Sequence, residues 1–508
     1  MRAKKTDREL PILLPFVPGQ ASNGEFVPKE RTPAHRRAEA LAHGMAEDIA
    51  KKRGLDRRRF LMSAGGMAVT LAAINLAGCD DDDTRDLPEG VDSGGTFNTP
   101  ADADPDAVCE VLDGDEFIFD VQTHHVDPEG PWVNESPATA GAFRLFPGDP
   151  ACNETDQLDC LSRYYYAHDI FLESDTTIAV LSDTPSGNDS TDPLNFDEMK
   201  RTRDIMNELS PANTGRLRLH SVVVPNAPAG LDAALERMQA RAETLDVAAW
   251  KIYTPYGPGG RGWMLDDDMG IAVIEQARAL GVKTICAHKG LPLFGFDRAA
   301  ASPRDIGVVA AAYPDMNFVV YHSGWFPGHR EAAYNADQAE GVDVLVKSLV
   351  DNGVQPNTNV YAELGSTWRN IMSDRTQAAH LLGKLIKYVG EDNVLWGTDC
   401  IWTGSPQPQI VAFRAFQIEP QFAQQYGYGA LTDDVKRKIF GMNAARLYGV
   451  DPETQRCKIE RDQVEELRQT YMELEPDTHE VRWAPKGPTT RRGMLRWFAD
   501  HGGKWQLG

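Results

Sequence analysis

Between residues 115 and 450, short apolar runs alternate with longer stretches whose apolar residues recur every three to four positions. The runs are FIFDVQTH (117–124), TTIAVLSD (176–183), LRLHSVVVP (217–225), VAAWKIYT (247–254), VKTICAHKG (282–290), NFVVYHSG (317–324), NVYAELGS (359–366) and NVLWGTD (393–399). Their length and β-branched content predict strands. The intervening LDAALERMQARAETL, IAVIEQARALG and AAHLLGKLIKYVG have helical spacing, and the last two end on glycine, a common helix stop. Strands alternating with helices predict a parallel α/β sheet, and eight such units predict a closed (β/α)8 TIM barrel. A doubly wound open sheet is the alternative. It is weakened because no G-x-G-x-x-G turn follows an early strand.

The polar residues sharpen this picture. His124, His288, His322 and Asp399 each fall at the C-terminal end of a predicted strand, where barrel active sites are built. One such histidine is usually structural; four titratable groups at equivalent places point to a site. Alternation along the first strand puts Gln122 and His124 on one side, so Asp120-Val121-Gln122-Thr123-His124 reads as D-x-H-x-H with an amide replacing one imidazole. His125 faces the other way and is expected behind the site or in the loop. His220, in an apolar strand, reads as a core residue. His329 could sit at the pocket mouth, although loop histidines usually do not. Glu363 ends the seventh strand, and Trp325, Trp368 and Trp402 follow the last three strands. These are candidates to touch a substrate, with salt bridging and loop packing as the plainer alternatives.

The chain ends add a different layer. DRRRFLMSAGGMAVTLAAINLAGC (56–79) has Arg57, Arg58 and Arg59 before a mildly apolar run and closes on Leu76-Ala77-Gly78-Cys79. It looks like a twin-arginine export signal with a lipobox, so the expectation is a protein exported by the twin-arginine machinery and held at the periplasmic side of the membrane by lipid on Cys79. Residues 80–114 are acidic and turn-rich and are expected as a disordered tether. Residues 451–508 form a C-terminal extension. A net charge of −23 excludes a nucleic-acid partner. Cys152 and Cys160 suit a local disulfide, Cys286 and Cys400 read as buried thiols, and none has the spacing of a thiolate zinc site.

At DVQTH, AHKG, YHSG and LWGTD the chain resembles the amidohydrolase superfamily, in its amidohydrolase-related group that includes aminocarboxymuconate-semialdehyde decarboxylase and resorcylate-type decarboxylases. IFGMNAARLYG (439–449) looks like the group's closing helix. The resemblance implies one divalent metal, Zn2+ first and Mn2+ second, held by Gln122, His124, His288 and Asp399. Asp399 would also handle the proton of a reactive water, and His322 would steady that water or the substrate. Lys251 falls where binuclear relatives carry a carboxylated lysine and is read here as a charge partner or structural residue. His125, Lys251, Glu363 and Trp325 are the candidate substrate contacts.

The function expected from this reading is a metal-dependent hydrolase acting on a small carbonyl, ester or lactone through an activated water. A non-oxidative decarboxylase of a small aromatic acid would use the same constellation and is the alternative. A lipoprotein binding metal or small molecule without turnover is the second alternative. A homo-oligomer is compatible with the C-terminal extension.

Overall fold

The computed structural model describes residues 14–78, 93–99 and 112–500, apart from 62, 150–151, 187, 189, 210–214, 245, 293–294, 460–461 and 474–486. Its centre is an eight-stranded parallel sheet of β2 (Phe119–Thr123), β3 (Ile178–Leu181), β4 (Leu217–Val223), β5 (Val247–Ile252), β6 (Thr284–His288), β7 (Asn317–Tyr321), β8 (Val360–Glu363) and β9 (Val394–Leu395). Neighbours in space are neighbours in sequence, as short right-handed crossovers require. The sheet closes because β2 meets the chain beyond β9. Val121 donates to Trp396 (3.1 Å), His124 to Cys400 (2.7 Å), and Thr123 bridges Cys400 in parallel. The predicted barrel and the positions of all eight strands are therefore present.

Alternation does the rest. Phe119, Val121, Ile178, Val180, Cys286 and Val319 point inward and fill the barrel as one cluster, with Ala444 and Ala445 of the predicted closing segment in the same cluster. The outward-facing positions, among them Ile118, Ala179, Ile285, Phe318 and Ala362, join the core under the surrounding helices. Cys286 and Cys400 are buried thiols, and Cys152 is bonded to Cys160, as expected.

Two additions embrace this barrel. At the N-terminus, helix α1 (Pro33–Arg53) presents Ala38, Ala42, Ala46 and Ala50, a stripe of small side chains at i, i+4 spacing. Helix α2 (Ala64–Leu76) packs on α1 and buries Met67, Leu71 and Ile74. Among the described residues, no helix is long and apolar enough to cross a membrane. Asn75 holds β1 (Gly95–Phe97) by donating to the Phe97 carbonyl (2.7 Å) and accepting from its N–H (3.0 Å). β1 in turn pairs antiparallel with β10 (Phe416–Ile418), and the Phe97 and Phe416 rings meet edge to face at 5.4 Å. Part of the stretch expected as tether is thus strand, because Phe97 has a pocket to fill. Cys79, Cys109 and most of that stretch lie outside the described residues.

Ahead of α1, residues 14–29 run as a strap without regular structure across the barrel mouth. Leu14, Phe16 and Phe26 are buried, and Gly19 donates to Ser373 Oγ (2.7 Å). Gly24 has φ +100° and lies so near the Leu145 carbonyl that a Cβ would stand 2.4 Å from its oxygen, so only glycine fits there.

In the C-terminal extension, α3 (Gln463–Glu473) is fastened by Asp462, which receives both Arg216 Nε (2.5 Å) and Nη2 (2.8 Å) in a fully buried bidentate pair. Removing one partner strands the other charge, so Asp462→Ala is expected to cost about 3 kcal/mol in urea denaturation. It should also make residues 451–500 the first site of limited proteolysis. Unchanged stability would show that the extension is held elsewhere.

Candidate functional site

The C-terminal ends of the strands open into a cavity of about 320 Å3, at the small end of ligand pockets. Its floor is Gln122, His124, His288, His322 and Asp399, so the sequence-predicted metal and catalytic candidates share one cavity. His322 and Asp399 adopt φ of +63° and +62°, and Ser323 and Ser366 are also left-handed. Non-glycine residues in that region are costly, and their gathering at strand ends marks a site held in place by its surroundings.

Three backbone carbonyls orient the imidazoles. His124 Nδ1 donates to the Ser182 carbonyl (2.8 Å), His288 Nε2 to Leu291 (3.0 Å) and His322 Nδ1 to Gly365 (2.8 Å). A carbonyl only accepts, so each of those ring nitrogens carries the hydrogen and the other nitrogen of each ring turns to the cavity. Burial drives His322 down to about 4 and His288 well below its ordinary value, leaving both rings neutral. His288 Nδ1 and His322 Nε2 then face each other as two lone pairs 3.2 Å apart. On the other side His124 Nε2 faces Asp399 Oδ1 at 3.3 Å. Asp399 also accepts from the Ser366 hydroxyl at 2.6 Å.

Gln122 uses its amide N–H on this acid: Nε2 donates to Asp399 Oδ1 at 2.9 Å, while its buried Oε1 has no hydrogen-bond partner among the described residues. Neutral imidazole lone pairs, a carboxylate and an orphaned amide oxygen are the donor chemistry of a divalent metal centre. The four charged or ring donors stand as two facing pairs. Among the described residues, the donors that converge within 4.8 Å of one another are at Asp149, His168 and Asp169, away from this cavity.

The walls are apolar. Phe143, Phe146, Tyr253, Phe296 and Trp402 line the cavity, and the Trp402 ring stacks on His124 at 5.2 Å and 16°. Among the described residues, no lysine or arginine lines it. The strap adds Gly24 and Glu25 to the lining. Glu25 is half-buried and lines the cavity; burial, and then the charge of Asp399, push its carboxyl well above the usual range, against a hydrogen bond from Asn23 Nδ2 (2.5 Å).

Several candidates lie behind the walls. His125 is turned away, with Nε2 on Thr202 Oγ1 (3.0 Å) and its ring against Tyr166. Trp325 and Trp368 are fully buried in the outer core. Glu363 accepts from the backbone N–H of His322 (3.0 Å) and of Gly365, which shapes the loop carrying His322. His220 bonds Ser182 and Tyr448 inside the barrel, and His329 pairs with Glu340 at 3.2 Å. Lys251 sits under the site with Nζ 3.2 Å from the Tyr321 ring centre. None of these lines the cavity.

Trp402, one of the three tryptophans expected at a substrate, does line the cavity; sequence reasoning missed the rest of the aromatic wall and Glu25. Tyr253 could have been found, since it directly follows a barrel strand, and Phe143 and Phe146 lie in the loop after β2. Nothing in the local sequence around Glu25 signals a site.

The family described as Amidohydrolase matches residues 173–450, more than half of the chain. The protein belongs to the amidohydrolase family. The match begins after β2, so Gln122 and His124 lie outside it. No curated protein matches. Similar solved structures include 5-carboxyvanillate decarboxylase from Sphingomonas paucimobilis, 16% identical over 66% of this chain and 100% of that one, with TM-score 0.40. Another is 5-carboxyvanillate decarboxylase from Novosphingobium aromaticivorans in complex with manganese and 4-hydroxy-3-methoxy-5-nitrobenzoic acid, 13% identical over 66% and 96%, TM-score 0.41. A third is 2,6-dihydroxybenzoate decarboxylase from Rhizobium, 15% identical over 66% and 99%, TM-score 0.39. At these identities the likeness concerns the fold.

Lys251 permits a pH test. Its Nζ has no hydrogen-bond partner among the described residues, and burial pulls the amine down to about 7 against the charges of Cys286, Glu363 and Asp399. The unfolded chain keeps this proton to about pH 10.4. Between those values the unfolded state binds more protons, so this residue makes stability rise with pH by up to about 1.4 kcal/mol per unit. Lys251→Met should remove that increment in urea denaturation at pH 7 to 9. An unchanged pH slope would mean that Lys251 stays charged in the fold.

Proposed function

We propose that this amidohydrolase-family protein is a non-oxidative decarboxylase of a small planar aromatic carboxylic acid. The observation that carries the reading is the cavity itself: aromatic rings wall it, no cationic side chain is found among the described residues that line it, and its floor is polar, of imidazoles and one carboxylate. Phe143, Phe146, Phe296 and Trp402 suit a flat ring, and the size of the cavity suits one ring with its substituents. Losing CO2 disperses a carboxylate's charge, which an apolar wall favours. The bond from ring carbon to carboxyl breaks, its electron pair takes up a proton, and CO2 departs.

His124, His288 and Asp399 would hold a divalent ion, Zn2+ or Mn2+, which when bound supplies Lewis acidity toward a substrate oxygen. Gln122 fixes Asp399 through its N–H. His322, beside His288, orients the substrate's polar edge. Glu25, whose side chain lines the cavity, is assigned as the acid that delivers the proton to carbon.

Hydrolysis through an activated water was the first expectation from sequence, and Asp399 is the group it would use as base. The aromatic walls of the cavity favour the decarboxylase, which the sequence reading held as its alternative.

Metal-loaded protein is expected to release CO2 from small aromatic carboxylic acids. Asp399→Asn should lower the rate at least 10²-fold, as loss of a preorganised electrostatic group does. Glu25→Gln should lower kcat about 10²-fold with little change in KM. Turnover of esters or lactones without any CO2 release would overturn the reading in favour of the hydrolase.

The export motif bears on the same residues. Processing at Cys79 would remove the strap, α1 and α2 together, and with them Glu25. Intact mass of protein isolated from membranes decides between the forms. A chain that retains residues 14–78 fits the assignment of Glu25. A lipid-modified chain beginning at Cys79 would establish the anchor and remove Glu25 from the mechanism.

A further inference from the structure

A second group of donors lies outside the cavity, where the loop ending at Asp149 meets the turn of helix at 168–172 and α3 of the C-terminal extension. Asp149, His168 and Asp169 each bring a ligand atom within 4.8 Å of the others. His168 Nδ1 is 2.9 Å from Asp169 Oδ1 and 3.6 Å from Asp149 Oδ2. Ligands bonded at about 2.1 Å around one small cation stand at roughly these separations.

The hydrogen-bond directions say what belongs between them. The Tyr471 hydroxyl donates to Glu173 Oε1 (2.5 Å), so its oxygen accepts from His168 Nε2, 3.1 Å away. The imidazole therefore carries a hydrogen on Nε2, and Nδ1 stands 2.9 Å from Asp169 Oδ1, where it meets the carboxylate either as an N–H donor or, with a cation between them, as a ligand. Asp169 is fully buried, and its Oδ2 has no hydrogen-bond partner among the described residues. Asp149 faces the same acid from a nearly buried position. Two acids and an imidazole nitrogen aimed at one point need positive charge among them, which protons supply when the site is empty and a cation would supply when it is filled. The pattern of an imidazole whose other nitrogen is fixed by a hydrogen-bonded tyrosine and acid is the usual outer support of a metal ligand.

We propose that Asp149, His168 and Asp169 form a second divalent-cation site, structural in role and taking a small transition ion such as Zn2+. The His168 edge, with 15% of its side chain exposed, gives the ion a way in. The ion would pin the loop that carries Phe143 and Phe146 on the cavity wall, since Gly148 N–H already holds the rim by donating to the Trp402 carbonyl (3.0 Å). The disulfide from Cys152 to Cys160 closes the far side of the same loop. The site is independent of the barrel floor, and its ligands differ from it in every residue.

The test loads the full chain with Zn2+, desalts it and counts metal by elemental analysis. Asp149→Asn and His168→Gln should each bind one equivalent fewer than the natural chain, whereas His288→Ala should leave this ion in place. Zn2+ should raise the melting temperature of His288→Ala by a few degrees and leave that of His288→Ala combined with Asp149→Asn unmoved. In EDTA, Asp149→Asn should melt no lower than the natural chain, because it removes one of two facing acids. This also guards against a variant that merely misfolds. The proposal fails if Asp149→Asn and His168→Gln keep the natural stoichiometry, or if all Zn2+ disappears with His288→Ala. It also fails if metal-free Asp149→Asn melts well below the natural chain.

Discussion

The seam between β2 and the chain beyond β9 is the constraint on which the site depends. Asp120, fully buried in β2, accepts from the Thr398 N–H (3.1 Å), from its hydroxyl and from the Gln122 N–H (3.1 Å). Asp399 N–H donates to the Gln122 carbonyl at 2.9 Å. These bonds close the barrel and in the same act set Gln122, His124 and Asp399 beside one another. Closure is therefore not merely a matter of sheet edges. A buried carboxylate whose burial drives it up to about 7 is tolerated because three donors from the first and last strands meet on it.

A second economy lies in how the imidazoles are aimed. Ser182, Leu291 and Gly365 lend carbonyls from loops whose positions the barrel already fixes. No carboxylate is needed behind the rings, and the floor carries little net charge. That suits a cavity whose walls are aromatic, where an additional charge would be expensive.

Much of this was legible in the sequence. Period-2 and period-3.6 patterning located every barrel strand, and the rule that barrel chemistry sits at strand C-termini picked out His124, His288, His322 and Asp399. What patterning could not supply was the direction of a side chain once the strand had ended. His322 and Asp399 lie beyond their strands in left-handed backbone, so alternation no longer applies to them. Glu363, Lys251, Trp325 and His125 sit at plausible strand-end positions, yet they pack behind the wall, where backbone donors and rings meet them. Glu25 was invisible for another reason: its contact with the site spans more than 370 positions of sequence, and nothing near it repeats or alternates.

The strap that brings Glu25 and Gly24 to the mouth has no strand or helix of its own and is held by a few bonds and by buried side chains that include Leu14, Phe16, Ala21 and Phe26. It is also outside the stretch that matches the family. Evolution can rewrite such a segment without disturbing barrel closure, and two members with near-identical barrels can present different mouths. A change confined to residues 14–29 would therefore reshape the entrance while leaving the floor and the seam of the barrel as they are.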